Sequence, residues 1–320
     1  MSLLIPHNKP SLGPNEAEAA NRVLESGWVA SGREVAAFES DLATFLGTDP
    51  SCVVAVSSGS AAIALALLSA PERIELVTLP TYGCSAPVDA VSLAGANALF
   101  IDSGADTPFA AWPSSSGTEP GSATLMVDLF GFTANPPPTD GERLICDSAQ
   151  SLGAMTDGVA SCLRGDVGVL SFSPSKIMTV GGYGGAIVSN KPGWIDSARD
   201  YLNWDGRTDG HRRFNFALGD VSAAIGRAQL ARLPEMLARR RSVIDRYAAA
   251  GIPLLRPSDH QGTGYRAIVS TPDSRLTVEA LRLQGVGAIE PYTYDEMIGR
   301  GIETAPNAQA WARTLVSLSP

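Results

Sequence analysis

The chain is poor in lysine. Three lysines, Lys9, Lys176 and Lys191, occur among 320 residues, so any chemistry that needs a side-chain amine has three places to reside. Histidine is equally scarce, and His7, His211 and His260 are too scattered along the chain to build a metal site. The four cysteines, Cys52, Cys84, Cys146 and Cys162, have no Cys-x-x-Cys spacing. That absence excludes a zinc ribbon or a thioredoxin-like motif and predicts a reduced, cytoplasmic protein without metal. Positive charge is short as well: 24 Lys plus Arg stand against 33 Asp plus Glu, a formal net charge of -9. Such an acidic balance argues against nucleic acid or an anionic membrane as partner. No apolar run is long enough to cross a bilayer, and the opening MSLLIPHNKP lacks the basic start and apolar stretch of a secretory leader. Internal repeats are missing too.

What remains is a globular composition, 44% hydrophobic with 32 glycines, on a length that allows one large domain or two smaller ones. The first ten residues, with two prolines and no periodicity, predict an arm over the surface or onto a partner subunit. NEAEAANRVLES and EVAAFESDLATFLG have helical spacing and stop at Gly27 and Gly47. From Cys52 the pattern changes. CVVAV, IELVTLP, ALFID, ATLMVDLFG, RLICDSAQS, VGVLSFS and GGAIVSN are short apolar runs, several separated by helical segments. Strands this apolar are buried on both faces, which predicts an α/β fold around a large, mainly parallel sheet sandwiched by helices. Sites of such sheets lie at the carboxyl ends of the strands, where Asp128 and Asp147 fall. Stretches 105–122 and 135–141 are predicted loops within that domain. A long helix is expected from Gln229, and RAIVSTPDSRLTVEALRLQGVGAIE then reads as strand, helix, strand. The expected division is an arm and large domain over 1–235 and a small, shortened α+β domain over 236–320.

Three stretches concentrate chemistry on those strand ends. In SSGSAAIALAL, Ser58, Gly59 and Ser60 stand where a strand turns into a helix. Free backbone N–H groups, a glycine and two hydroxyls suit a phosphate there, and they equally suit an ordinary serine-capped helix. In ICDSAQSLG, Asp147 closes an apolar strand with Gln150 three residues on. A carboxylate in that setting needs a cation or a hydrogen bond, so it either caps a helix or pairs with the ring nitrogen of a cofactor. In LSFSPSKIMTVGGYGGAIVS, Lys176 stands among apolar residues before a glycine-rich turn, five positions after Ser171. It is either a solvated surface lysine or an amine whose surroundings equip it to condense with a carbonyl. Lys9 in the arm and Lys191 in a Lys-Pro turn do not compete for that role.

The order of these stretches resembles the pyridoxal-phosphate enzymes of fold type I, and within them the DegT/StrS-type nucleotide-sugar aminotransferases. The resemblance runs through almost the whole chain. IPHNKPSLGPNE is similar to the family's I-P-x-x-x-P opening, ESGWVASGREVAAFE to S-G-W-x-x-x-G…F-E, and SSGSAA to S-G-T-A-A. CDSAQSLGA resembles E-D-A-A-Q-x-x-G-A, LSFSPSK resembles F-S-F-x-x-x-K, and RFNFALGDVSAAIGRAQL resembles N-Y-R-M-x-x-x-x-A-A-I-G-x-x-Q-L. The resemblance implies that pyridoxal 5'-phosphate is the cofactor, its phosphate held by Ser58, Gly59, Ser60 and Ser171. It also implies that Asp147 pairs the pyridinium nitrogen, Gln150 contacts the ring, Cys84 occupies the place of a stacking aromatic, and Lys176 forms the Schiff base. Asn215 would reach the neighbouring subunit's cofactor, which implies a homodimer with shared active sites.

The implied reaction moves an amino group from an amino acid, glutamate or glutamine, to a ketone on a sugar, nucleotide-sugar or cyclitol. Its partners are therefore a small-molecule amino donor and a keto acceptor. The chain departs from the family pattern in four places. Cys84 replaces the stacking aromatic, with Tyr82 or Trp28 as alternatives. Ala217 stands for an arginine, whose anion contact would pass to Arg212 or Arg213. The glycine turn, GGYGG, is one residue longer than usual. IEPYTYDEMIGRG lacks the family's histidine. The shortened small domain leaves two alternatives: a pyridoxal-phosphate lyase or dehydratase, and a noncatalytic cofactor-binding regulator.

Overall fold

A computed structural model describes residues 5–113, 120–138, 143–256, 262–298 and 304–320. The predicted loops at 105–122 and 135–141, and the end of the IEPYTYDEMIGRG stretch, lie partly outside the described residues.

Two helices open the fold, α1 (Pro14–Ser26) and α2 (Arg33–Leu46). Pro14 occupies the first turn of α1, where its missing N–H costs nothing. Gly27 and Gly47 end the two helices at φ 73° and 74°, a left-handed conformation that glycine adopts without strain. Next come β1 (Val53–Val56), α3 (Gly59–Leu68), β2 (Leu76–Pro80), α4 (Ala86–Leu93), β3 (Asn97–Ile101), β4 (Ser122–Val127) and β5 (Arg143–Asp147). A small hairpin of β6 (Met155–Thr156) and β7 (Val159–Ala160) precedes β8 (Val167–Ser171), β9 (Gly185–Val188) and α5 (Pro192–Leu202).

Seven of these strands form one sheet in the order β1-β9-β8-β5-β4-β2-β3. Its pairs from β8 to β3 are parallel, while β9 runs antiparallel to both of its neighbours. Alternation along each strand feeds two cores. Val54 and Val56 join Leu65, Leu125, Ile145 and Val169 on one face, whereas Val53 and Ala55 join Phe38, Leu42, Leu170 and Phe172 on the other.

Helix α6 (Asp220–Ala249) starts nine residues before the helix expected from Gln229. Its first turns are committed to α1 and α2. Asp220 accepts hydrogen bonds from the N–H groups of Gly32 and Val35 at 2.8 and 3.0 Å, so it caps the start of α2 rather than its own helix. A Cβ at Gly226 would stand 2.9 Å from the ring of Phe38, so this glycine in mid-helix permits close packing. The helix passes Pro234 and position 235 without interruption, and Leu237 still belongs to the large core.

Beyond it lie β10 (Ala267–Ser270), α7 (Ser274–Leu283), β11 (Ala288–Ile289), α8 (Tyr294–Ile298), α9 (Pro306–Thr314) and β12 (Leu315–Leu318). The strand not anticipated from sequence, β12, lies between β10 and β11 as the centre of a three-stranded sheet. Val269, Val278, Ala288 and Val316 form the separate small core of this unit. The arm docks on the same unit of its own chain: Ile5 pairs with Val286, and His7 Nε2 meets Ser317 Oγ at 3.0 Å.

Candidate active site

Strand register brings the predicted residues to one edge of the sheet. Ser171, at the end of β8, pairs with Gly185 on β9, and Gly185 pairs with Val56 at the end of β1. The Ser57–Ser60 turn therefore lies two strands from Ser171 with only a glycine between. A Cβ at Gly185 would collide with the Ser58 carbonyl carbon and oxygen, at 2.7 and 2.5 Å. A Cβ at Gly59 would stand 2.9 Å from Ser171 Cβ and 3.0 Å from its Oγ. Ser58 caps α3, its Oγ accepting from the Ala61 N–H at 3.0 Å, so the helix-capping role allowed by the sequence is real. Ser60, in the first turn, is exposed. The result is a cradle of helix N–H groups and hydroxyls shaped for a phosphate. Gly59→Ala is expected to weaken pyridoxal phosphate binding about tenfold, the effect of roughly 1–2 kcal/mol of overpacking; fluorescence titration of the cofactor-free protein measures it.

Across the sheet, Asp147 ends β5 opposite Val169 of β8. It is 4% exposed and forms no ion pair among the described residues. One carboxylate oxygen accepts from the Ala149 N–H at 3.0 Å, closing a tight turn. Burial raises its pKa; the Ala149 hydrogen bond and the charge of Lys176 oppose that rise. Lys176 is half-buried, its N–H donating to the Ser173 carbonyl and its Nζ standing 5.9 Å from the centroid of the Tyr265 ring. The other two lysines are elsewhere, Lys9 in the arm and Lys191 ion-paired to Asp166. A buried carboxylate with no ion-pair partner among the described residues, within the field of Lys176 and on the strand next to the one that ends at Ser171, fits a phosphorylated pyridine that carries a protonated ring nitrogen.

Gln150 is held at both ends. Its Oε1 accepts from the Phe130 N–H at 3.0 Å, and its Nε2 donates to the hydroxyl of Tyr292 from the small unit. Phe130 adopts φ 61°, unusual for a bulky residue and kept by the packing around it. Phe130, Tyr292 and Tyr82 form an aromatic cluster with centroids 5.1–6.4 Å apart. Tyr82 is fully buried in that cluster, Trp28 is 77% exposed, and Cys84 is exposed beyond the end of β2. This network was not anticipated from sequence, because Phe130 and Tyr292 carry no motif of their own.

Two further residues were legible only in part. Asp128, at the end of β4, is a structural acid: its carboxylate accepts from the Ala134 N–H and from the hydroxyls of Ser148 and Ser151. Burial pushes its pKa up to about 6 against those hydrogen bonds. The folded form thus holds a proton that the unfolded chain releases near its ordinary value of 3.8. Its contribution to stability is full at low pH and falls by about 3 kcal/mol as pH rises through that window. Asp128→Asn is expected to remove this slope, seen as the difference between the two proteins in urea unfolding across pH. Arg213 is the second. It is fully engaged by Asp200 and Asp209 at 2.6–2.8 Å, which leaves the exposed Arg212 as the unengaged member of the pair among the described residues. Asn215 is exposed beside the Ser57 turn, where the Ser57 N–H donates to the Phe216 carbonyl at 2.7 Å.

The fold and this arrangement define a pyridoxal-phosphate-dependent aminotransferase of fold type I. The chain belongs to the DegT/DnrJ/EryC1/StrS aminotransferase family, whose model matches residues 10–318. It is 29% identical over 280 residues to the dTDP-4-dehydro-2,3,6-trideoxy-D-glucose 4-aminotransferase of Saccharopolyspora spinosa, a match covering 75% of this chain and 69% of that protein. It is 27% identical over 277 residues to the GDP-perosamine synthase of Vibrio cholerae, covering 81% of this chain and 75% of that one. Among solved structures, the aminotransferase TlmJ from Streptoalloteichus hindustanus superposes with a TM-score of 0.86 at 26% identity, over 99% of this chain and 93% of the other. The activity is that of a sugar aminotransferase.

Proposed function

We propose that the chain moves the amino group of glutamate or glutamine onto a keto carbon of a nucleotide-linked sugar, with Lys176 and Asp147 as its catalytic residues. The observation that carries this assignment is the buried Asp147, without an ion-pair partner and within the field of Lys176, beside the Gly59–Ser171 cradle. The named sugar substrates of the relatives support the class of acceptor.

Bound here, pyridoxal phosphate supplies the electron sink that stabilises negative charge at the donor's Cα. Ser58, Gly59, Ser60 and Ser171 hold its phosphate. The Asp147 carboxylate keeps the ring nitrogen protonated, and its burial strengthens that interaction by excluding water. The Lys176 Nζ would hold the cofactor, and as a free amine it would be the base that takes the proton from the donor's Cα and returns it to the cofactor-side carbon that receives the charge. Gln150, itself fixed by Phe130 and Tyr292, would brace the ring, and Cys84, beyond the end of β2, would offer it a small stacking surface.

The sites are proposed to be shared in a homodimer, with Asn215 reaching the partner's cofactor phosphate. Exposed aromatics support this reading: Trp28 and Tyr183 are 77% and 74% exposed. Both border the Asn215 segment, since the Val29 carbonyl accepts from the Asp220 N–H and Gly184 lies against Leu218. The large domain proposed over 1–235 then carries the catalytic residues, and the unit over 236–320 braces the site through Tyr292. No helix among the described residues is long and apolar enough to cross a membrane; a cytoplasmic location remains part of the proposal.

The test is the visible absorbance of the purified protein with pyridoxal phosphate, before and after L-glutamate. A yellow band that bleaches on adding the donor is the expected result. A band that no amino donor alters would overturn the aminotransferase mechanism, and the absence of a band would overturn the role of Lys176.

A further inference from the structure

Several arginines pair with carboxylates. Arg199, Arg213, Arg227 and Arg232 each form an ion pair at 2.6–2.9 Å, as expected where acids outnumber bases. One cavity gathers three cations, Lys9, Arg240 and Arg266. It has a volume of about 200 Å³ and is lined by arm residues 5–9, by Arg240 and Arg266, and by residues 319–320. No acidic side chain lines it among the described residues. Among the described residues, Lys9, Arg240 and Arg266 form no ion pair.

The two guanidiniums are held there mostly by neutral groups. Arg240 donates to the Tyr265 carbonyl at 3.3 Å. Arg266 donates to the Ser175 carbonyl at 3.4 Å and to the Tyr265 hydroxyl at 3.3 Å, and lies 4.6 Å from the centroid of the Tyr265 ring. Burial, followed by the charge of Arg266, lowers the pKa of Arg240. The same field reaches His7, pushed down to about 4 by burial and then by Arg266 and Arg282. His7 is therefore neutral near pH 7. Its Nδ1 faces an Arg266 nitrogen at 3.5 Å, which makes Nδ1 the acceptor and leaves Nε2–H to donate to Ser317.

Three positive charges against, at most, the carboxylate of Pro320 leave the described lining of this cavity net positive, a field that favours an anion. A carboxylate would neutralise one of them. A phosphate group carries close to two negative charges and several acceptor oxygens, which match two guanidinium forks and an ammonium. The geometry points to this cavity as a phosphate-binding site distinct from the cofactor cradle. It adjoins the lysine loop, since Tyr265 lies against both Arg266 and Lys176, and the Tyr265 hydroxyl donates to the Ser175 carbonyl at 3.1 Å. The phosphate belongs either to the sugar acceptor or to free inorganic phosphate. Only the first of these sources rests on the function proposed above.

The test uses protein already loaded with pyridoxal phosphate, so that the cradle at Gly59 is filled, with sodium pyrophosphate as the probe at constant ionic strength. The imidazoles of the three histidines are followed by NMR. The His7 signal is expected to shift saturably while that of the exposed His211 stays in place. In Lys9→Gln/Arg240→Gln the dissociation constant should rise at least about tenfold, and in Lys9→Gln alone by a smaller factor. The single variant, at an exposed arm residue, keeps the test available if the double variant does not fold. A His7 signal that does not move, that tracks salt without saturating, or that responds equally in the variants overturns the site. If the acceptor supplies the phosphate, the nucleotide-sugar competes with pyrophosphate, and the variants raise the KM for the acceptor without altering the half-reaction with glutamate. If free phosphate is the ligand, the acceptor leaves pyrophosphate binding unchanged. The cofactor band is read in the same sample, so failure of the aminotransferase mechanism and failure of this site are separate results.

Discussion

Lys176→Ala is expected to lower the turnover of L-glutamate by at least about 10⁴-fold, because the proposed mechanism makes one side chain both the attachment point and the proton carrier. Removing a group that serves two steps costs more than removing one that serves a single step, and neither remaining lysine can reach the site. Lys191 is ion-paired to Asp166, and Lys9 lies in the arm. The cradle is independent of Lys176, since it is built from the start of α3 and the end of β8. The variant should therefore still bind pyridoxal phosphate, noncovalently and without the yellow band. Single-turnover absorbance with glutamate separates these effects. A variant that binds no cofactor would show that the lysine is needed to build the pocket, and a variant with full turnover would refute its catalytic role.

Asp147→Asn is expected to reduce turnover by about 10²–10³-fold, the scale of one preorganised electrostatic contact in a dry site. The amide keeps the shape and can still accept from the Ala149 N–H, so the turn at the end of β5 survives. What disappears is the negative charge. Burial holds the pKa of Asp147 above its ordinary value, so the ionised carboxylate destabilises the cofactor-free fold as pH rises through that raised value. The asparagine variant should accordingly be more stable than the parent without cofactor at neutral pH. Opposite signs for activity and stability distinguish a functional charge from a structural one. Calorimetry of the cofactor-free proteins, with glutamate turnover of the loaded ones, gives both signs.

Much of this was legible in the sequence because the chemistry is carried by short local stretches. SSGS, CDSAQ and SPSK each combine a strand end with the candidate site residue, and an apolar strand fixes where its end must point. The helices closed by Gly27 and Gly47 were legible for the same reason, since a left-handed cap is a local event. Features set by distant partners were not. The first turns of α6 are stabilised by α1 and α2, and Gly226 reads locally as a weak point although it is a packing contact with Phe38. LVSLSP gives little sign that it occupies the middle of a sheet. The loss of Arg213 as an anion contact depends on Asp200, thirteen positions away and across a loop. Tyr292 joins the candidate site through its contact with Gln150, which only the packing of the small unit creates.

The placement of β12 between β10 and β11 bears on the order of events during synthesis. Ribosomes deliver the chain from residue 1, yet neither flanking strand of the small sheet has its neighbour until residues 315–318 emerge. The arm waits equally long, because His7 meets a serine 310 positions later. The large sheet is complete once Val188 has been made, so it can close while the small unit is still unpaired chain. A nascent protein stalled before residue 315 would then carry a finished large sheet with the small unit unassembled, a state for chaperones to recognise by the exposed edges of β10 and β11.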